Sequence, residues 1–238
     1  MTTIDTLSRD FVVRPPTMED LQAVYELVLA CDMADDGMLD HPMDEIRSYW
    51  QEPGFSMRTD AWMVFHPDGR LLGYADVGHH NHVRIFAFIQ VLPKYRGQGI
   101  ERYLLECTEA RARLHIPYAD PEARVTLASW MSQKDKVSAQ LLEREGFMYV
   151  RSFWRMEIKL EAEPQVPEWP DGITVRTLGR DTSAFIHGQQ EEHKVFEMMG
   201  EAFSDHWGHM PSTFEEWSYW KFQPETFDPT LWFLAFDG

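Results

Sequence analysis

The sequence predicts an α/β protein made of one complete domain and the opening part of a second. Segments with alternating apolar residues, which indicate strands, and segments with helical spacing follow one another in the order β-α-α-β-β-β-α-β-α-β. A proline-rich acidic stretch comes next, and the start of the pattern then recurs. These observations predict strands and helices in a first domain and a repeat after it.

The first half of the pattern leads to a hairpin and a buried strand. Residues 11–14 are typical of a short strand, and apolar residues at helical spacing follow at 21–28 and 46–50. The alternating stretch after them turns at Asp68-Gly69, a pair that favours a tight hairpin. The run VRIFAFIQVL at 83–92 has almost no polar face, which indicates a central strand covered on both sides.

The second half of the pattern adds two helices and the remaining strands. Apolar residues at helical spacing begin at Ile100, and Pro117 ends that helix. The stretch ARVTLASWM is typical of another strand, and KVSAQLLEREGF is typical of a short helix that Gly146 terminates. Residues 148–160 then carry the last strand or strands of the domain.

Prolines among acidic residues mark a domain boundary. Residues 163–171 contain three prolines, which is typical of a stiff, exposed linker. We therefore expect a first domain at 1–162 and a second domain at 172–238.

The second domain echoes the first. The segment ITVRTLGRD resembles FVVRPPTMED, with Arg176 in the place of Arg14, and the letters SYW at 218–220 match SYW at 48–50. If the repeat ran its full course, its central strands would lie beyond Gly238. We therefore expect an incomplete second copy.

The charge balance excludes a large class of partners. The chain has 22 Lys and Arg against 39 Asp and Glu, a formal net charge of −17, whereas nucleic-acid binding depends on cations that neutralise phosphates. No run approaches the about 20 apolar residues that cross a bilayer, and the N-terminus lacks an apolar signal core. Cys31 and Cys107 lack the spacing of a disulfide framework or zinc site. We expect a cytoplasmic protein that binds neither nucleic acid nor membrane.

One segment has the pattern of an anion site: a buried strand, Pro93, and then RGQG at the start of a helix. Glycines allow a tight turn, and the first-turn amides of a helix have no intrahelical partners. Together with the helix dipole, these amides suit a pyrophosphate. The sequence has neither the Gly-Lys-Ser/Thr of a Walker loop nor the G-x-G-x-x-G of a Rossmann turn.

This segment resembles the acyl-CoA motif V-x-P-x-x-R-G-x-G of the GNAT superfamily of acyl-CoA N-acyltransferases, matched here by Val91-Leu92-Pro93-Lys94-Tyr95-Arg96-Gly97-Gln98-Gly99. The resemblance covers about residues 11–160 and includes a later helix that ends in Gly146-Phe147. The layout with a truncated second copy resembles tandem GNAT proteins of the mycothiol synthase type. The resemblance implies a mixed, mostly antiparallel sheet flanked by helices, and acetyl-CoA as acyl donor.

The same resemblance implies which residues bind acetyl-CoA. Backbone groups around Ile89, Val91 and Leu92, where the central strand of this fold separates from its neighbour, would hold the pantetheine arm. The N–H of Val91 would also donate to the oxyanion of the reaction. The pyrophosphate would lie on the amides that open the helix, those of Arg96, Gly97, Gln98, Gly99, Ile100 and Glu101.

Two residues depart from the GNAT pattern. Glu101 stands where the family usually has Gly or Ala, and its carboxylate either repels the pyrophosphate or faces solvent as a favourable first-turn anion. Leu142 stands where many relatives have a tyrosine that protonates the leaving thiolate, and leucine cannot donate a proton. We expect Leu142 to be a core residue of its helix.

Acetyl transfer to an amine needs a base that deprotonates the ammonium. The candidates for acid or base are His82, in a turn that also holds His79 and His80, Asp76 on the preceding strand, and Tyr149 on a following one. Solvated turn histidines are the alternative explanation of that run. We expect no metal site, because an exposed turn rarely supplies the closed geometry that zinc needs.

Two functions are compatible with these residues. The first is an N-acetyltransferase that transfers an acetyl group from acetyl-CoA to the amine of a small molecule, which the intact RGQG favours. The second is a degenerate GNAT domain with a CoA-binding or scaffolding role, whose catalytic partner is a C-terminal copy absent from this chain; Glu101 and Leu142 favour it. A homodimer in which the terminal strand pairs with a neighbouring sheet is compatible with either.

Overall fold

The computed structural model of the chain describes residues 11–178, 185–222 and 227–237. Within these ranges the chain forms two compact units that divide between Val150 and Arg151. The linker expected at 163–171 falls in the second unit, where it is exposed and contains neither helix nor strand. No helix among the described residues has both the length and the apolar character needed to cross a membrane.

The first unit contains a five-stranded sheet in the spatial order β1-β2-β3-β4-β5. Its strands are β1 (Val12–Arg14), β2 (Ala61–Phe65), β3 (Leu71–His80), β4 (Arg84–Val91) and β5 (Thr126–Ser129). The first three neighbouring pairs are antiparallel, and β4 pairs with β5 in parallel. This mixed, mostly antiparallel sheet confirms the predicted fold class.

Helices cover both faces of this sheet. In the described part of the first unit they are α1 (Leu21–Asp35), α2 (Met43–Trp50), α3 (Met57–Asp60), α4 (Ile100–Arg113) and α5 (Lys136–Arg144). On one face, α1 and α2 form a core in which Trp50 packs with Tyr74. On the other face, Ile100 and Leu104 of α4 form a core with Leu72. Burial of these apolar faces is the main term that stabilises the unit.

The strand with both faces covered is β3 rather than β4. Residues 71–77 of β3 are all buried, whereas buried residues of β4, such as Ile85 and Ala87, alternate with half-buried ones. The prediction that β4 is covered on both sides is therefore wrong. The core around α1 and α2 is built on β2 and β3, so Phe86 and Phe88 of β4 stay half-buried on that face.

The hairpin predicted at Asp68-Gly69 is confirmed and joins β2 to β3. The N–H of His66 donates to the carbonyl of Arg70, and the N–H of Gly69 donates to the carbonyl of His66, each at 2.9 Å. Gly69 has φ +89°, a left-handed conformation that glycine adopts without strain. The hairpin turn therefore depends on the left-handed conformation that Gly69 adopts without strain, which is a property of the residue itself.

The strand predicted at 148–160 is not formed. This stretch has neither helix nor strand in the structure, and its apolar side chains are exposed, for example Met148 at 78% and Met156 at 92%. A strand is stabilised when a neighbouring strand accepts and donates its backbone hydrogen bonds. In the described part of the chain the sheet ends at β5, and residues 148–160 do not form a strand of it.

The second unit has the order β-α-α-β, which resembles the opening of the first unit except for the one-turn helix α3 before β2. It contains β6 (Ile173–Thr177), α6 (Phe185–Ala202), α7 (Phe214–Phe222) and β7 (Phe233–Asp237), and β6 pairs with β7 in an antiparallel ribbon. In both units an arginine of the first strand lies over a phenylalanine of its partner strand: Arg14 over Phe65 at 4.7 Å and Arg176 over Phe236 at 4.6 Å. The same arginine–phenylalanine contact in both units supports the prediction that the second unit repeats the start of the first. That this second copy is incomplete stays a prediction.

We expect Gly78→Ala to lower the free energy of unfolding by about 1–3 kcal/mol, as overpacking of a core does. A Cβ at Gly78 would overlap the hydroxyl oxygen of Tyr49, while the next ring atom, Cζ, is 3.4 Å away. Urea denaturation measures the change. In a Tyr49→Phe background the overlapping atom is gone, so the cost should fall markedly. An equal cost in both backgrounds would refute the steric explanation.

Candidate functional site

A cleft opens in the first unit where β4 continues past the end of β5. Pairing with β5 covers Arg84 to Ala87 of β4 and stops at Ser129. The N–H of Leu92 donates to the carbonyl of Leu72 at 2.9 Å. Because strand hydrogen bonds alternate in direction, the peptide groups of Ile89 and Val91 face away from β3; Ile89 lines the opening, whereas the carbonyl of Val91 is bonded to Arg96 and Cys31.

The predicted pantetheine residues thus divide into two kinds. Ile89 lines the cleft, whereas Val91 is buried with its carbonyl bonded within the protein and the N–H of Leu92 is bonded to β3. The cleft, including its open mouth, has a volume of about 440 Å³. Its other walls come from the ends of α1 and β5, from α4 and α5, and from the segment between β5 and α5, through Asp35, Ser129, Glu101, Leu105, Trp130, Met131, Ser132, Asp135, Ser138, Leu141 and Leu142.

The glycine-rich turn lies between the end of β4 and the start of α4. Gly97 and Gly99 have φ of +76° and +95°, and Gly99 is the N-cap of α4. Residues with a side chain rarely adopt these values, which explains the two glycines. The turn presents the first amides of a 14-residue helix, as the sequence predicts.

Arg96, which begins this turn, has its side chain engaged within the protein. Its guanidinium binds both carboxylate oxygens of Asp35, at 2.6 and 2.8 Å, and lies 3.3 Å from Asp135. Its Nε–H donates to the carbonyl of Val91 at 3.2 Å, an oxygen that also accepts the thiol of Cys31 at 3.3 Å. The hydrogen bond with Asp35 raises the pKa of Arg96. The Arg96 side chain is therefore held within the protein, and its backbone N–H is engaged as well, since it donates to the carbonyl of Pro93 at 3.4 Å.

Glu101 points into the protein. Its side chain is buried, and its Oε1 accepts a hydrogen bond from the N–H of Gly97 at 2.9 Å. Burial raises the pKa of Glu101, and the nearby Asp135 raises it further. The alternative in which Glu101 faces solvent is therefore wrong. Two of the amides predicted to hold pyrophosphate, those of Gly97 and Arg96, already have internal acceptors, which the local sequence pattern did not indicate.

Leu142 is half-buried and lines the cleft. The expectation that Leu142 is a core residue is wrong, because α5 packs at the edge of the unit and none of its residues is fully buried. Tyr149, one of the candidates for acid or base, follows α5 and is 78% exposed.

Asp76 lies in the middle of β3, opposite Phe88 of β4, and is buried. Burial raises the pKa of its carboxyl to about 7, although hydrogen bonds from the hydroxyls of Tyr74 and Tyr49 oppose the shift. The oxygen of Tyr74 in turn accepts the indole N–H of Trp50 at 2.8 Å. A carboxyl with this pKa exchanges a proton near neutral pH, which is the property of a general base.

His82 lies in the turn that joins β3 to β4, at the end of β4 away from the glycine turn. Its Nδ1 is 2.8 Å from Nδ1 of His115, a residue that follows α4, and its ring stacks on His79 with centroids 4.1 Å apart. Burial, together with the neighbouring histidines, lowers the pKa of His79 to about 4. The structure thus adds His115, which sequence spacing could not indicate, and leaves His80 outside the group.

The three candidates for acid or base occupy three different places: Asp76 inside the sheet, His82 at the turn, and Tyr149 after α5. The structure does not bring them together into one group. Their catalytic roles stay predictions.

Comparison with known proteins identifies relatives with this fold. No protein-family model matches the chain. The crystal structure of a GCN5-related N-acetyltransferase from Sphaerobacter thermophilus is 33% identical, with a TM-score of 0.78 that covers 98% of this chain and 69% of that one. Mycothiol acetyltransferases of Saccharopolyspora erythraea and Streptosporangium roseum are each 29% identical, over 76% and 91% of this chain.

The chain spans 58% of the length of each of these two curated relatives. The similarity to the Sphaerobacter thermophilus structure extends over both units and nearly the whole chain. Identity and a shared fold over this extent show that the chain belongs to the GCN5-related N-acetyltransferase (GNAT) family.

Proposed function

We propose that this chain binds acetyl-CoA in the cleft beside β4 and transfers its acetyl group to the amine of a small molecule. The observation that carries the proposal is the cleft itself: β4 continues past the end of β5, and Ile89, whose peptide group faces away from β3, lines the opening together with Glu101 of the first turn of α4. The names of the relatives, all acetyltransferases, support this reaction class.

The cofactor would bind mainly through backbone groups. Its pantetheine arm contains amides, which pair with a strand edge as a peptide does. Its pyrophosphate would lie on the amides of Gln98, Gly99 and Ile100, where the dipole of α4 favours an anion. The Gly97 amide is bonded to Glu101, and the Arg96 charge is already paired. The affinity for acetyl-CoA therefore depends on these three backbone amides and on how strongly the negative charge of Glu101 repels the phosphates.

In the reaction, the amine nitrogen forms a bond to the thioester carbon and gives up a proton to the base. The C–S bond breaks with its electron pair on the sulfur, and the CoA thiolate takes a proton from water because Leu142 cannot donate one. Asp76 is the base we favour, because it lies opposite Phe88, one residue before Ile89 in the wall of the cleft. Asp76 is only 5% exposed, so the proton would reach it through the hydroxyl of the half-buried Tyr49. The N–H of Val91 would donate to the oxyanion.

We expect calorimetric titration to show micromolar binding of acetyl-CoA, and Gln98→Glu to weaken it about tenfold or more. The new carboxylate would lie beside the amides that hold the pyrophosphate, and like charges close together repel. Gln98 does not have a positive φ, so the change avoids the strain that any substitution of Gly99 would add. The matched control is Gln22→Glu on the exposed side of α1. Lack of binding to the unmodified chain would refute the proposed site.

We expect Glu101→Gln to bind acetyl-CoA about tenfold more tightly than the unmodified chain, a difference of about 1.4 kcal/mol. Glutamine keeps an oxygen that can accept the Gly97 N–H and removes only the negative charge. The same calorimetric titration measures the effect, and Glu109→Gln, farther along α4, is the control. Unchanged affinity would mean that the Glu101 carboxyl is already neutral or out of reach of the phosphates.

We expect the rate of thiol release from acetyl-CoA, measured with a panel of small amines, to rise with pH and level off above about 7, because the Asp76 carboxyl has a pKa of about 7 and must be ionised to accept a proton. Asp76→Asn should lower the rate about 10²- to 10⁴-fold, while Asp44→Asn on α2 should not. Acetyl-CoA binding without turnover for any amine would instead support the scaffolding alternative.

A stability measurement separates the pKa of Asp76 from its role in catalysis. Between about pH 4 and pH 7 the folded chain keeps a proton on Asp76 that the unfolded chain has lost, so the free energy of unfolding falls as pH rises. This fall should be smaller in Asp76→Asn. Parallel pH profiles for the two chains would contradict the raised pKa.

A further inference from the structure

Three histidines come together at the turn between β3 and β4 and form what we call the histidine cluster. His79 is next to the last residue of β3, His82 lies in the turn, and His115 follows α4. One ligand nitrogen from each lies within 4.8 Å of the other two. His115 is buried and the other two are half-buried, so the cluster faces solvent on one side.

The spacing of the nitrogens is close to that of a metal site. Imidazole nitrogens bind zinc at about 2.0–2.1 Å, which in a tetrahedral arrangement places them about 3.3 Å from one another. The two Nδ1 atoms of His82 and His115 are 2.8 Å apart and share a hydrogen bond. An ion between them would replace this bond after the donor ring moves its proton from Nδ1 to Nε2, and small side-chain rotations would supply the remaining distance.

The backbone holds the cluster in place. Asn81 and His82 have φ of 50° and 57°, a left-handed conformation that is uncommon for residues with a side chain. In this conformation the N–H of His82 donates to Nδ1 of His79 at 3.3 Å, and an ion bound to His79 would have to replace this hydrogen bond as well as the one between His82 and His115. Strained turns of this kind are concentrated at functional sites, because the surrounding structure must maintain them.

The charges around the cluster allow a cation. Burial and the positive charge of the nearby Arg111 lower the pKa of His115. The Nε–H of Arg111 is bonded to the carboxylate of Asp60. The ring of Tyr118 lies beside His82 with centroids 5.4 Å apart and covers one side. The positive charge nearest the histidine cluster is therefore paired with a carboxylate, and an aromatic ring covers one side of the cluster.

The cluster is separate from the acetyl-CoA cleft. It lies where His80 pairs with Arg84, whereas the cleft lies beyond the end of β5, from Ile89 onward on β4. Strands rise about 3.3 Å per residue, so Arg84 and Ile89 are about 16 Å apart. An ion in the cluster would not contact the thioester.

We propose that His79, His82 and His115 bind one divalent transition-metal ion, with Zn²⁺ as the preferred ion. Three neutral imidazoles are ligands that suit zinc, and a water molecule would take the fourth position on the solvent side. Such an ion joins the β3–β4 turn to the segment after α4, elements that are 33 residues apart in sequence. Its role is to stabilise the far end of the sheet, independently of acetyl transfer.

The test is a titration of the full chain, treated with a chelator and free of any affinity tag, with Co²⁺. We expect one equivalent to bind with the visible absorption of tetrahedral Co²⁺, and Zn²⁺ to displace it. His82→Ala and His115→Ala should each raise the dissociation constant about tenfold or more, whereas His80→Ala, a neighbour outside the cluster, should not. Absence of stoichiometric binding, or an equal loss in His80→Ala, would overturn the proposal.

X-ray absorption of the unmodified chain loaded with one Zn²⁺ does not depend on the folding of any variant. Scattering from three imidazoles supports the proposal, and a shell made mostly of carboxylate or water oxygens overturns it. Acetyl-CoA titration of His115→Gln separates the two sites. Unchanged acetyl-CoA affinity with lost Co²⁺ binding shows that the metal site stands independently of the proposed acetyl transfer, whereas joint loss in a folded variant contradicts that separation.

Discussion

The buried guanidinium of Arg96 is the interaction on which the geometry of the cleft depends. It binds Asp35 at the end of α1, the carbonyl of Val91 at the end of β4 and Asp135 at the start of α5, and its side chain is only 10% exposed. A buried charge without partners costs several kcal/mol, so removing one partner would be strongly unfavourable. Three elements that are distant in sequence therefore meet at one point, and the glycine turn leaves from it.

The same ion pairs determine how an anion meets this site. Two carboxylates already compensate Arg96, and Glu101 takes the amide of Gly97. A pyrophosphate would thus encounter backbone amides and a helix dipole instead of an available cation. The net charge of −17 acts against any polyanion in addition. The balance between the α4 amides and Glu101 is therefore the central electrostatic question of this domain.

One hairpin serves both proposed sites. The strands β3 and β4 carry the cleft at one end, Asp76 in their middle and the histidine cluster at the other end. Burial of β3 between two helical layers makes this hairpin a rigid support, so side chains at its two ends keep fixed positions without contact between them. The distance also allows each site to change without altering the other.

The sequence by itself determined the elements whose cause is local. The hairpin at Asp68-Gly69, the glycine turn before α4 and the order of strands and helices follow from turn residues and periodicity, which act over a few positions. Only the tertiary structure decided that Glu101 turns inward, that 148–160 forms no strand, and that His115 joins His82. These features depend on burial and on segments that meet only after folding, and no spacing along the chain encodes such contacts.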